Sequence, residues 1–265
     1  MGWKRSGAGR IETAALLDVD GHLLRATREA AGKQRDRDDC TPLALIRVDS
    51  LHRHFRMGDQ VVRALNGLST TIGMGESLAI MGPSGSGKST LLYLLGGLDR
   101  PTQGRIWVNG TEISTLDENG LAVYRRREIG FIFQSFHLIP TMTALQNVAF
   151  PMVFSGVSER ERRARASHLL ERVGLADRMD HRPTELSGGQ QQRIAVARAL
   201  VNSPTIILAD EPTGNLDSRT GREIMALLME LNQEKKRTIL IVSHDPTVTE
   251  YAGRAIHLLD GKLVA

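Results

Sequence analysis

The apolar and polar positions of this chain fall into distinct regimes. Over residues 1–41 apolar positions are sparse, Gly, Ala, Arg and Asp are mixed, and the stretch closes on the charge-dense run 32–40 (GKQRDRDDC). Such a segment supports short helices at most, over 12–17 and 23–30, so residues 1–42 read as a weakly ordered extension. A start codon placed too far upstream is the alternative. From residue 43 the pattern sharpens. Residues 43–48 (LALIRV) and 77–81 (SLAIM) read as strands, and 104–110 (GRIWVNG) alternates between two glycines, a strand with a turn at each end. Residues 158–174 turn helical, with arginines that read as a solvated face. The apolar run 205–209, the amphipathic stretch 218–231 and the apolar run 238–242 then alternate strand, helix, strand. That order predicts a parallel sheet covered by helices. Asp260 and Gly261, between 256–259 and 262–264, form a hairpin signal.

Composition narrows the function classes. The 265 residues are 41% hydrophobic, enough for one large domain or two modest ones. Lys plus Arg (34) exceed Asp plus Glu (30) by four, a mild excess that suits a phosphate ligand or an anionic surface without requiring nucleic acid. The single cysteine, Cys40, excludes an internal disulfide framework and a cysteine zinc site. No apolar run approaches the roughly 20 residues of a membrane span. The chain is therefore not itself a channel or carrier. Glu12, Asp18 and Asp20 interrupt the place where a signal peptide carries its apolar stretch, so the chain is expected to stay in the cytoplasm.

Three motifs carry chemistry. Residues 82–90 (GPSGSGKST) fit G-x-x-x-x-G-K-[S/T], after a strand and at the start of an apolar helix. Gly82, Gly85 and Gly87 let backbone N–H groups turn inward around phosphate oxygens, and the helix start adds its positive dipole end. Lys88 can reach the β- and γ-phosphates, and the Ser89 hydroxyl can ligate Mg²⁺. Pro83, Ser84, Ser86 and Thr90 complete the cradle. The second motif is Asp210-Glu211, which ends the buried strand pattern 206–209, where a parallel sheet binds its ligands. Asp210 is placed to hold Mg²⁺, and Glu211 to polarise an attacking water. The third is Leu186-Ser187-Gly188-Gly189-Gln190, ahead of the helical run 191–200. Ser187 suits an N-cap. Capping does not explain two adjacent glycines, whereas a second phosphate-facing helix start does. One γ-phosphate already has a cradle at 82–89, so two copies facing each other, each completing the other's site, resolve the excess.

These residues resemble the ATP-binding subunit of ABC transporters over essentially all of 43–265, and 186–190 match that family's signature. The resemblance implies a RecA-like P-loop NTPase core of α/β class, with an N-terminal antiparallel β region and a helical insertion over about 135–190. It also implies two cassettes that dimerise head to tail around two ATP molecules. By the same resemblance, Gln134 senses Mg²⁺ and the attacking water and joins the core to the helical part. Residues 215–217 (NLD) cross the dimer interface, His244 contacts the γ-phosphate, and Phe55 stacks on adenine. Residues 136–148 and 209–218 resemble the lipoprotein-release and macrolide-exporter group. There the membrane partner transmits motion to a domain outside the membrane. The chain stops at Ala265, after the last expected strand, so a separate integral-membrane permease is expected, with this chain peripheral at the cytoplasmic face of the inner membrane. Among residues 135–157, Phe136, Leu138, Ile139, Met142, Leu145, Val148, Phe150, Met152, Val153 and Phe154 are expected to divide. About half should pack inside, and the rest should line an exposed groove for a helix of that permease. Two other outputs share the signature. One is regulation of cell-wall hydrolysis at division. The other is work on nucleic acid, for which the coiled coils or zinc cysteines of such proteins are missing here.

Overall fold

The structure, a computed structural model, describes residues 44–264. The extension expected over 1–42, its two short helices and Leu43 at the head of the first expected strand lie outside the described residues.

Two sheets share the chain. Strands β1 (Ala44–Met57) and β2 (Gln60–Gly73) form a long antiparallel pair, extended by β4 (Gln103–Val108) and β5 (Thr111–Glu112) in the order β2-β1-β4-β5. The larger sheet runs β10-β9-β3-β8-β7-β6, from β3 (Ser77–Met81), β6 (Ile129–Phe133), β7 (Ile206–Asp210), β8 (Thr238–Ser243), β9 (Arg254–Leu259) and β10 (Lys262–Val264). All its neighbours are parallel except the terminal hairpin β9–β10. Asp260 (φ 47°) and Gly261 (φ 74°) both turn through the left-handed region there, as a two-residue hairpin turn of right-handed twist demands.

The apolar runs of β7 and β8 are buried at every position, and the two faces of each feed different cores. Ile206, Leu208, Leu240 and Val242 pack with helix α1 (Lys88–Leu95), helix α2 (Glu118–Glu128) and the antiparallel sheet. Ile207, Ala209, Ile239 and Ile241 pack with helix α5 (Gly188–Leu200) and helix α6 (Ser218–Lys235). A strand covered on both faces has no solvent side, which is why these runs lack a polar alternate.

A third apolar cluster joins helix α3 (Ala144–Ala149), helix α4 (Glu159–Arg172) and the opposite side of α5 through Leu145, Val148, Leu170 and Ile194. Its polar anchor is Asn147, 1% exposed. The Asn147 amide donates to the carbonyls of Ile139 (3.1 Å), Met142 (3.1 Å) and Thr143 (3.0 Å), and its oxygen accepts from Ile139 N–H at 2.7 Å. One side chain thus satisfies the irregular backbone of 139–143, which would otherwise be costly to bury. Gln146 closes a capping box with Thr143 at the start of α3.

Candidate active site

The glycine-rich loop links the end of β3 to α1. Helix α1 starts without a side-chain cap: Gly87 stands before it at φ 100°, leaving first-turn N–H groups free for a ligand. Lys88, only 6% exposed, donates from Nζ to the carbonyls of Gly82 (2.9 Å) and Pro83 (2.8 Å), so it arches the loop over itself. Pro83, Ser84 and Gly85 are exposed along its rim, and the buried Ser86 hydroxyl has no hydrogen-bond partner among the described residues. The glycines divide by cause. A Cβ at Gly82 would collide with the Leu258 carbonyl, and one at Gly87 with the Ala64 carbonyl. Only Gly85 (φ 80°) faces open space, as a purely ligand-driven glycine should. The loop is also bonded to the hairpin tip, through Gly261 N–H to Ser86 O at 3.1 Å.

The acidic strand end lies alongside. Ser89 Oγ donates to Asp210 Oδ1 at 2.9 Å. Tyr93, one helical turn after Ser89, donates its hydroxyl to Asp210 Oδ2 at 2.9 Å. Burial, then the bond to Asp210 and that residue's charge, push the Tyr93 phenol up to about 12, so it stays a donor. Sequence reasoning missed Tyr93; its only signal was the i, i+4 spacing from Ser89 on an apolar helix. Glu211 has φ 45°, and its N–H donates to the Val242 carbonyl at 2.9 Å. That left-handed step turns its carboxylate toward the next strand end, where Glu211 Oε1 meets His244 Nδ1 at 2.9 Å.

Gln134 follows β6, the neighbour of β7. Its amide lies 3.5 Å from Asn215 Oδ1, and Asn215 Nδ2 donates to the Gln134 carbonyl at 3.0 Å. A Cβ at Gly214 would stand 2.7 Å from Gln134 Nε2 and 3.3 Å from Glu211 Oε2. Gly214 is therefore what lets the amide and the carboxylate converge. The hydrogen bonds of Gln134 run to Asn215 rather than to Ser89 or Asp210.

Ser187 and Gln190 stand apart from this group. They form a reciprocal capping box, Ser187 Oγ accepting from Gln190 N–H at 3.3 Å and Gln190 Oε1 from Ser187 N–H at 3.0 Å. The neighbours of Gly188 are Leu216, Phe136 and Asn215. A Cβ at Gly189 would collide with Thr220 of α6, so packing within the chain already requires that glycine. Asp217 caps α6 by accepting from the N–H groups of Arg219 (3.1 Å) and Thr220 (3.0 Å), and hydrogen bonding by the Thr220 side chain first, then by the Thr220 N–H, lowers its carboxyl pKa. Phe55 is exposed, with the Arg53 guanidinium 4.5 Å from its ring centre. It pairs with Val62, two residues along β2 from Ala64, which flanks the phosphate loop.

Of the ten apolar residues singled out over 135–157, Leu145, Val148 and Met152 are buried, five are half-buried, and Val153 (46%) and Phe154 (64%) are exposed. Phe150 and Phe154 join Val123, Phe131, Phe133 and His137 around an open groove of about 750 Å³. Arg198 forms part of its wall and donates to the carbonyls of Phe136 (2.7 Å) and His137, both left-handed residues just beyond Gln134. Burial pushes the Arg198 guanidinium down from its ordinary value.

A parallel sheet that ends in a glycine-rich lysine loop, a hydroxyl–carboxylate pair and a neighbouring Glu–His pair defines a P-loop nucleoside triphosphatase cassette. The chain belongs to the ABC transporter family, whose profile matches residues 65–214, and it is an ATP-binding ATPase cassette of that family. It is 51% identical over 221 residues to the macrolide export ATP-binding/permease protein MacB of Vibrio parahaemolyticus, covering 83% of this chain and 34% of that protein. The chain thus spans about a third of the length of the MacB relatives it matches. It is 50% identical over 209 residues to an uncharacterised ABC transporter ATP-binding protein of Thermotoga maritima, covering 79% of this chain and 89% of that one. Among solved structures it is similar to the ATP-binding cassette MJ0796 in a dimeric post-hydrolysis state bound to ADP and Pi. The TM-score is 0.78 at 45% identity, covering 83% of this chain and 97% of the other. Among the described residues no helix is long and apolar enough to cross a membrane.

Proposed function

We propose that this cassette powers a membrane subunit of the macrolide-exporter and lipoprotein-release type, at the cytoplasmic face of the inner membrane, by closing as a dimer on two ATP molecules. The arrangement that carries the reading is the Ser89–Asp210 pair set beside Glu211–His244 at the ends of adjacent parallel strands. The loop from Gly82 to Thr90 wraps the phosphates, and Lys88 exchanges its two carbonyl partners for phosphate oxygens. Ser89 and Asp210 offer a hydroxyl and a carboxylate, the hard oxygen donors that Mg²⁺ takes, so these two would hold the ion. Bound there, it would neutralise charge on the phosphates. Glu211 accepts a proton from the water that attacks the γ-phosphorus, the bond to the β-phosphate oxygen breaks, and ADP and phosphate leave. Its contact with His244 orients Glu211, and Gln134 reports the state of the site to the segment beyond it. Phe55 supplies a ring face for adenine. The reciprocal bonding of Ser187 and Gln190 leaves the signature turn presented outward, which suits a role at the partner's γ-phosphate.

Ser187→Arg tests the shared site. Ser187 is exposed, so within its own chain the change costs only a helix cap, about 1 kcal/mol. ATP binding per monomer should be nearly unchanged, while the closed dimer disappears from size-exclusion profiles and hydrolysis falls to background. Mixed with Lys88→Ala chains, it should regain at most one working site per heterodimer. Monomers of Ser187→Arg that hydrolyse ATP at the wild-type rate would refute the arrangement.

The groove at Phe150 and Phe154 is the proposed seat of a short cytoplasmic helix of the membrane subunit, because exposed aromatic walls need an apolar cover. Phe154→Asp should change stability by no more than about 0.5 kcal/mol, since the side chain is exposed. ATP binding should persist, and co-purification with the membrane subunit should be lost. Unaltered assembly would remove this surface as the docking site.

A further inference from the structure

We infer that the chain carries a separate anion site, for a small phosphate-bearing molecule or headgroup, at the end of the parallel sheet opposite the nucleotide loop. Its centre is Arg237, the residue before β8, which is 6% exposed and whose Nη1 is buried without a hydrogen-bond partner among the described residues. An unpaired buried guanidinium is among the least favourable groups a fold can keep, unless something completes it.

The surroundings fit such a ligand. Arg237 lines an open cavity of about 370 Å³ together with Arg165, His168, Arg172 and Ser203. Positions 165, 168, 169 and 172 recur at helical spacing, so α4 turns one face toward the cavity. The arginines of this helix are therefore not all a solvated surface, as its sequence alone suggested. The nearby carboxylates are already engaged: Glu161 pairs with Arg165, and Glu234 with Arg172 at 2.5 Å. Of the three guanidiniums that line the cavity, Arg165 and Arg172 each have a carboxylate partner, and among the described residues Arg237 has none. Burial first, and then the charge of Arg172, push the Arg237 guanidinium down from its ordinary value, with Glu234 pulling the other way. An added anion would relieve both effects.

Guanidinium forks match phosphate oxygens, and the Ser203 hydroxyl adds a donor. Leu169 and Leu200 floor the cavity, so the ligand's organic part has an apolar surface to lie on. Arg237 and Ser203 precede the first residues of β8 and β7, whereas Asp210 and His244 stand at the far ends. Six strand residues span about 20 Å, so the cavity is not an annex of the nucleotide site.

The test uses the full chain saturated with ADP, titrated calorimetrically with inorganic pyrophosphate. In parallel it is co-sedimented with phosphatidylcholine vesicles, with and without phosphatidylglycerol. Saturable binding is expected in at least one arm, weakened about tenfold or more by Arg172→Ala and by Arg237→Met. A pyrophosphate response assigns a soluble phosphate. A response only to phosphatidylglycerol vesicles assigns a lipid headgroup. Without ligand, Arg237→Met should melt no lower than wild type, because it removes an unpaired buried charge, and it should lose any ligand-induced rise in melting temperature. If Arg237→Met does not fold, Arg172→Ala, at a half-exposed position, makes the same comparison. Absence of binding in both arms, or binding that neither variant weakens, overturns the site.

Discussion

Glu211→Gln should bind ATP as well as the wild-type chain and hydrolyse it about 10² to 10⁴ times more slowly. The change keeps side-chain length and the left-handed backbone step, and leaves Ser89–Asp210 and the Lys88 arch untouched. It removes only the capacity to take a proton from water. The amide can still bond to His244, so that side chain stays oriented. Because ATP binds but is not consumed, the closed dimer should accumulate and become visible by size-exclusion chromatography with Mg-ATP. Hydrolysis at the wild-type rate would show that another group serves as base.

Lys88→Ala should act on binding itself. In the described state its ammonium holds two loop carbonyls, and in the bound state it faces phosphate. A charge-assisted bond of this kind contributes about 1.5–3 kcal/mol, so nucleotide affinity should fall roughly ten- to a hundredfold. Fluorescent-nucleotide titration reads this directly, and circular dichroism separates it from a loss of fold. Equal affinity in the variant would place the phosphates elsewhere. The two variants split the site into halves: one binds without turnover, the other fails to bind.

How much of this was legible depended on whether a signal was local. Strand β3 was read residue for residue, and β7 and β8 within a residue or two, because strands buried on both faces are short apolar runs with nothing to confuse them. Strand β2 was not foreseen. Its pairing with β1 shifts register near Val48, Leu51 and Arg53, so Val61, Val62, Leu65, Leu68 and Ile72 follow no steady alternation. Helix α2 was also missed, since it buries only Leu121 and Tyr124 among five charged residues. At the site, the phosphate loop, Asp210 and Glu211 were marked by their motifs and His244 only by the family resemblance, and the structure brings them to one end of the sheet. Tyr93 and Gly214 carry no motif; their roles exist only once distant segments meet. The two signature glycines were ascribed wholly to a phosphate, yet Thr220 of α6 already explains Gly189.

The nucleotide loop is bedded between Ala64 of β2 and the Leu258–Gly261 end of the last hairpin, contacts that a Cβ at Gly82 or Gly87 would destroy. A loop held from both sides by segments nearly 200 positions apart cannot take its shape on a partly synthesised chain. As residues leave the ribosome, the phosphate cradle is made well before the β9–β10 hairpin that closes on it. ATP then becomes a reporter of that closure: only a chain whose β9–β10 hairpin is in place is expected to retain the nucleotide, and so to gain the stabilisation that ligand binding confers.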